Sequence, residues 1–220
     1  MPNHATARVR VKICGLTRRA DVDAAVGEGA DALGFNCYPK SPRYVSLTAL
    51  ESLAVRLPPY VTPVLLFVNA AASDIQAALD VVPDALLQFH GDETEAECVR
   101  HGRPYTRAVG MAQGVALLDC ERAFGTASAL LADAPSAAFG GSGHRFDWSL
   151  LPTASARRKP LILAGGLDAD NVGEAIRAVM PYAVDVASGV ELSKGVKDRA
   201  RIARFIAAVR AAESLIERAT

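Results

Sequence analysis

Short, continuously apolar runs alternate along the chain with longer stretches in which apolar residues recur every three or four positions. The short runs cover residues 9–13, 32–35, 61–67, 86–89, 105–109, 129–132, 161–163 and 184–186. They are rich in Val, Leu and Ile and mostly lack polar alternation, as strands covered on both faces of a parallel sheet do. The stretches between them carry helix punctuation. Thr17 is placed to cap a first helix ending near Gly29, and Ser46 a second over 47–57, stopped by Pro58-Pro59. Ser73 opens a third and Asp92 caps a fourth; a fifth, over 115–124, has a weak start. A sixth, over 148–157, is short and interrupted by Pro152, Asp170 opens the seventh, and Asp198 starts the long last helix. Eight strands alternating with eight helices predict an α/β fold of the (β/α)8 barrel type, one domain over 1–220. A doubly wound open sheet is the alternative, and it usually has fewer strands at this length.

Composition narrows the picture. The chain has 220 residues, 50% hydrophobic and 22% charged, which is enough to bury a sizeable core. Its formal net charge is zero and no basic stripe marks a nucleic-acid partner. Arg157-Arg158-Lys159 reads as a solvated helix end. No apolar run approaches the ~20 residues of a membrane span. Met1 to Ala7 lack the apolar core of a signal peptide and read as a frayed start. Cys14, Cys37, Cys98 and Cys120 form no CxxC pair, so a disulfide framework is not expected and a reducing, cytoplasmic setting is. A zinc site would want closer ligand spacing and more His, so no metal is expected.

In a barrel of parallel strands, chemistry gathers where the strands end. Strand one ends in Cys14, followed by Gly15. Strand two leads into Asn36-Cys37-Tyr38 and Arg43, strand three into Asn69, and strand four carries Gln88 and His90. Strand six leads to Asp133, strand seven to Gly165-Gly166, and strand eight carries Asp185 and leads to Ser188-Gly189. The last two loops are the clearest signal. Small residues let backbone N–H groups approach a phosphate closely, and Ser188 adds a hydroxyl, so Gly165, Gly166, Ser188 and Gly189 are expected to bind phosphate. Arg43 is a planar cation suited to gripping a substrate carboxylate. Gln88, His90 and Asp185 are the other expected substrate contacts. Gly140-Gly141-Ser142-Gly143-His144 reads as a lid, a phosphate cradle or a plain linker. Cys14 and Asp133 form the candidate acid/base pair: a free thiol titrates near ~8.5 and needs modest lowering to serve as a base, and burial can keep an Asp protonated to serve as an acid. Asp147 is the rival acid, though it reads better as the cap of the sixth helix.

These residues together resemble the phosphoribosylanthranilate isomerase family. The resemblance spans nearly the whole chain. It rests on Val11-Lys12-Ile13-Cys14-Gly15, Gly34-Phe35, Ser41-Pro42-Arg43-Tyr44, Phe67-Val68-Asn69 and Gln88-Phe89-His90-Gly91-Asp92-Glu93. It continues through Gly140-Gly141-Ser142-Gly143, Phe146-Asp147-Trp148, Ala164-Gly165-Gly166-Leu167, Val184-Asp185 and Ser188-Gly189-Val190-Glu191. It implies a single-domain barrel without cofactor or metal that rearranges N-(5-phosphoribosyl)anthranilate to 1-(2-carboxyphenylamino)-1-deoxyribulose 5-phosphate in tryptophan biosynthesis. By the family's assignment Cys14 is the general base, Asp133 the general acid, Arg43 the carboxylate contact, and Gly165, Gly166, Ser188 and Gly189 the phosphate loops. The family's usual Leu-Leu-Asp on strand six is Leu131-Ala132-Asp133 here, so Asp133 is placed by its spacing to Gly140. The implied partner is a phosphorylated small molecule, with the enzyme a monomer or homodimer.

Three other readings stay open on the residues alone. A histidine-pathway aminoaldose isomerase would carry paired Asp residues ending strands one and five, where this chain has Cys14 and Ala108-Val109-Gly110. A non-catalytic phosphate-binding barrel would keep the glycine loops and need neither Cys14 nor Asp133. A Schiff-base aldolase would need a Lys at a strand end, and Lys12 lies inside strand one.

Overall fold

The computed structural model describes residues 8–54, 56–113, 115–135 and 145–217. Its parallel strands are β1 (Arg10–Cys14), β2 (Ala32–Asn36), β3 (Thr62–Phe67), β4 (Leu86–Phe89), β5 (Tyr105–Gly110), β6 (Ala129–Asp133), β7 (Leu161–Leu163) and β8 (Ala183–Val186). They pair in chain order and close into a barrel, with β8 against β1 from Arg10↔Ala183 to Ile13↔Val186. This is the (β/α)8 barrel that the alternation of runs predicts. The helices are α1 (Arg19–Gly27), α2 (Leu47–Ala54), α3 (Ala72–Val81), α4 (Glu95–Val99), α5 (Leu117–Ala123), α6 (Val172–Val179) and α7 (Arg199–Glu217). After β8 a short antiparallel hairpin intervenes, β9 (Glu191–Ser193) and β10 (Val196–Lys197).

The pleat sorts the strand residues into two layers. Val11, Ile13, Leu33 and Phe35 point outward into the shell under the helices. Ala108, Leu131 and Ile162 fill the barrel's inside, and Cys14, Leu66 and Val68 form a separate small cluster. Both faces are therefore apolar for most of each strand, which is why the runs show no alternation.

Several helix starts differ from the sequence expectation, each for a local reason. Ser46 and Asp198 do cap their helices, accepting from Ala49 N at 3.2 Å and Arg201 N at 3.0 Å. Thr17 does not; its hydroxyl donates to the Gly195 carbonyl at 2.6 Å, tying the first loop to the β9–β10 turn. Asp92 yields to Thr94, which forms a reciprocal capping box with Glu97, while Asp92 is locked to Asn69. Asp170 yields to Asp168, whose carboxylate accepts from the N–H groups of Asp170 and Asn171. The expected sixth helix is two 3₁₀ turns, Trp148–Leu150 and Ala154–Ala156, because Pro152 lacks the N–H that would join them. Arg157-Arg158-Lys159 is no solvated helix end. Arg157 donates to the Val179 carbonyl at the end of α6, Arg158 N to Glu121, and Lys159 to the Gly125 and Ala127 carbonyls. Among the described residues no helix is long and apolar enough to cross a membrane. The start at 1–7 and the glycine-rich loop at 140–144 lie outside the described residues.

Candidate active site

Cys14 is the last residue of β1 and is 8% exposed. Two residues earlier on the same face, Lys12 places its ammonium 2.8 Å from Asp185 Oδ2, and both side chains are buried. Gly34 on the neighbouring strand makes room for both. A Cβ there would sit 2.8 Å from Cys14 Sγ and 3.0 Å from Lys12 Nζ. Burial pushes the Cys14 thiol up; Lys12 opposes this most strongly, Asp185 adds to it, and Lys197 also lowers it. The field that favours the thiolate thus comes from a lysine one pleat below, which the sequence reading treated only as a weak Schiff-base candidate.

Arg43 reaches the same region from the loop after β2. Its stem crosses Gly15, where φ is 75° and a Cβ would lie 2.3 Å from Arg43 Cδ, so only glycine fits. The guanidinium is buried and bidentate: Nε and Nη2 donate to Glu191 Oε1 and Oε2, each at 2.8 Å. Lys197 Nζ donates to the same Glu191 Oε1 at 2.8 Å and to the Ala187 carbonyl at 3.0 Å. Burial alone would raise the Glu191 carboxyl, but Arg43 and Lys197 outweigh it and hold it below the usual range. One edge of the guanidinium, Nε with Nη2, is thus committed within the protein, leaving Nη1 without a hydrogen bond among the described residues. The sequence offered no periodic signal for Glu191 and Lys197, because they are joined only by the turn of a hairpin too short to read.

Asp133 ends β6 across the barrel. Its Oδ1 accepts from the Ala134 N–H at 2.8 Å, and no cation forms an ion pair with it among the described residues. Burial raises its carboxyl to about 6; the Ala134 N–H opposes the rise, Asp185 adds to it, and Lys12 opposes it. Asp133 lines a cavity of about 340 Å³ with His90, Arg107 and Ala134. Arg107 is itself held by Glu93 at 2.8 Å and the Gly91 carbonyl at 2.6 Å. His90 Nε2 lies 2.6 Å from Gln88 Nε2, while Gln88 Oε1 and Asp185 Oδ1 are buried without a hydrogen-bond donor among the described residues. Asp147 stands apart: it is exposed and accepts from Ser149 N at 2.9 Å, capping the first 3₁₀ turn as its sequence context suggests.

The two glycine loops touch. Gly165 and Gly166 adopt φ of 81° and 61°, and a Cβ on Gly165 would meet Ala134 N at 2.5 Å. A Cβ on Gly189 would meet the Leu167 carbonyl oxygen at 2.0 Å. Gly165, Gly166, Ser188 and Gly189 are all partly exposed, and their backbone N–H groups find no acceptor among the described residues. Such a cradle of free donors, beside the strand end that carries Asp133, suits an anion. Cys37 is packed with the outer shell rather than with Cys14, and all four cysteines are free. Among the described residues no group of three or more His, Cys, Asp or Glu could hold a metal ion.

Comparison with known proteins points to one family. The family model for N-(5′-phosphoribosyl)anthranilate isomerase matches residues 11–208. A relative from Methylibium petroleiphilum with that name is 54% identical over 209 residues, covering 95% of this chain and 97% of its own. The solved isomerase of Thermotoga maritima superposes with a TM-score of 0.82 at 40% identity, over 92% of this chain and 99% of that one. A further solved isomerase, in complex with reduced 1-(o-carboxyphenylamino)-1-deoxyribulose 5-phosphate, gives a TM-score of 0.79 at 38% identity over 92% and 99%.

Proposed function

The chain belongs to the N-(5′-phosphoribosyl)anthranilate isomerase family, enzymes of tryptophan biosynthesis, and on that premise we propose how its own residues carry the reaction. Asp133 is the general acid. It protonates the furanose ring oxygen, and the ring opens to a protonated Schiff base. Cys14 is the general base. As thiolate it removes the proton from C2′, the electrons flow into the imine, and the resulting enol amine tautomerises to the ketone. The imine is the electron sink, so the substrate supplies its own activation.

The phosphate sits on the N–H groups of Gly165, Gly166, Ser188 and Gly189, and the anthranilate carboxylate meets the free Nη1 edge of Arg43. His90, Gln88 and Asp185 line the space between. Holding the substrate by two anionic ends fixes the reacting carbons between acid and base, which removes much of the entropic cost of the step. The substrate is thus a phosphorylated small molecule; the whole chain serves as one catalytic barrel domain, working in the cytoplasm as a monomer or homodimer.

The observation that carries this reading is the contrast at Asp133: a carboxyl with no ion pair among the described residues, raised by burial to about 6, at the strand end beside the glycine loops. The test follows the loss of phosphoribosylanthranilate fluorescence on turnover. Cys14→Ala and Asp133→Ala should each lower kcat by about 10² to 10⁴, the usual worth of one acid or base. Full activity in either variant would remove that residue from the mechanism.

A further inference from the structure

Beneath the base, and level with the acid, lies an ion pair that neither role requires. Parallel strands in register point paired residues to the same side of the sheet. The pairs Ala132↔Leu163, Leu163↔Val184 and Val184↔Val11 define one row around the barrel. One step further along lie Asp133, Ala164, Asp185 and Lys12, in that order, with Cys14 one pleat above Lys12. The short side chain of Ala164 is all that stands between Asp133 and Asp185 in this row. Asp185 is therefore the member of the pair on the acid's side, and Lys12, beside Gly34 and Cys14 Sγ, is the member on the base's side.

We propose that Lys12 and Asp185 form a fixed buried dipole, its positive end under Cys14 and its negative end toward Asp133, that biases the one to thiolate and the other to carboxylic acid. Both act as positioning residues, through Cys14 and Asp133. The inference rests on the roles proposed for Cys14 and Asp133.

The charges favour it. Asp185 Oδ1 is buried and accepts no hydrogen bond among the described residues, so one carboxylate oxygen is engaged by Lys12 while no neighbouring donor screens the other. At Cys14 the pull of Lys12 exceeds the push of Asp185, whereas at Asp133 the push of Asp185 exceeds the pull of Lys12. The remaining charges facing Cys14 are Lys197 and Arg43, and both are held by Glu191. On the other side, Asp133 shares its cavity with His90 and with Arg107, which is paired to Glu93. A thiolate and a protonated carboxyl must coexist for turnover. If the thiol is the weaker acid, every unit by which the two values separate lowers the competent fraction about tenfold.

This predicts a signature that damage to the fold does not produce. In Lys12→Met the remaining carboxylate raises both groups, and both limbs of the kcat/KM profile move to higher pH. In Asp185→Asn the remaining ammonium lowers both groups, and both limbs move to lower pH. In the double variant, which leaves no unpaired buried charge, the limbs move apart. The bell broadens by about one unit on each side and its maximum falls about 100-fold. The alkylation rate of Cys14 against pH, read by mass spectrometry of its peptide, should follow the basic limb in each variant. If the singles fail to fold, the double variant decides alone. A double variant with lowered activity and unmoved limbs overturns the dipole, provided that Cys14→Ala and Asp133→Ala are inactive. Activity in those two variants would instead defeat the acid/base roles themselves.

Discussion

The wall of the barrel formed by β1, β8 and the β9–β10 hairpin differs from the wall formed by β4, β5 and β6 in how it treats charge. The first packs Lys12, Arg43 and Lys197 against Asp185 and Glu191, all buried and all paired. The second also pairs Arg107 with Glu93, but it leaves Asp133 with one backbone N–H and no ion pair among the described residues. Burying a charge costs several kcal/mol unless partners compensate it, so the two walls reach opposite ends. The paired wall can hold full charges and offers a thiol a positive surrounding. At Asp133, which lacks such a partner, ionisation is expensive, and the carboxyl stays protonated further up the pH scale. On the proposed roles, general base and general acid are thus divided between a site ringed by paired charges and a carboxyl that has no ion pair among the described residues.

Removing a member from each wall should change stability in opposite directions. The larger effect is on the paired wall. Glu191→Ala strands Arg43 and Lys197 as unpaired buried cations, and breaking a buried pair costs about 3 to 5 kcal/mol. Urea denaturation at pH 7 should show that loss, with a higher KM as Arg43 loses its fixed orientation. Glu191→Gln, which keeps an acceptor for Arg43, should recover part of it. A Glu191→Ala variant as stable as the wild type would mean that this cluster is open to water and the contrast between the walls is false.

On the acid wall, removing the charge should stabilise. The Asp133 carboxyl rises from an unfolded-chain value of about 3.9 to about 6 in the folded protein. A raised acid binds more protons folded than unfolded, so stability is fullest below about 4 and declines as pH rises toward 6. Above that the cost is complete, about 3 kcal/mol for a two-unit shift. Asp133→Asn keeps an oxygen for the Ala134 N–H but cannot ionise. It should gain up to that amount at pH 8 and almost nothing at pH 4, while kcat collapses. Equal stabilities at both pH values would show that Asp133 ionises freely.

The two walls were also unequally legible. Strand ends are visible wherever an apolar run stops, so Cys14, Asp133, Gly165-Gly166 and Ser188-Gly189 could be singled out by position alone. Lys12 sits inside a run, and its partner Asp185 lies 173 residues away, so the pair is created by barrel closure rather than by any local pattern. Glu191 and Lys197 meet Arg43 only because β9 and β10 fold back, and those strands span three and two residues. Helix caps failed for a simpler reason. Asp92, Asp170 and Thr17 are chemically suitable, but nearby Thr94, Asp168 and Gly195 offered better geometry.

A smaller effect sharpens the paired wall. Gly15→Ala places a methyl group on a backbone with φ of 75° and against the stem of Arg43. Strain of this kind costs on the order of 1 to 3 kcal/mol. Because the clash falls on Arg43 and not on the thiol, KM should rise more than kcat falls. A fall in kcat at constant KM would mean that the loop's position serves Cys14 instead.

The smallest expected effect tests whether the acid wall holds a second acid. Asp147 is a carboxylate near the end of the same βα unit as Asp133, but it is exposed, and the hydroxyl and backbone N–H of Ser149 hold its carboxyl below its ordinary value. A general acid needs the reverse, a proton retained near neutral pH. Its work is to cap the 3₁₀ turn Trp148–Leu150, so Asp147→Ala should lower the melting temperature by only about 2 to 4 °C. Turnover of phosphoribosylanthranilate should stay within about twofold of wild type, since surface changes away from reacting groups rarely disturb them. Should Asp147→Ala abolish kcat while Asp133→Asn retains it, the acid would be a solvated carboxylate, and the burial of Asp133 would have no part in protonating the ring.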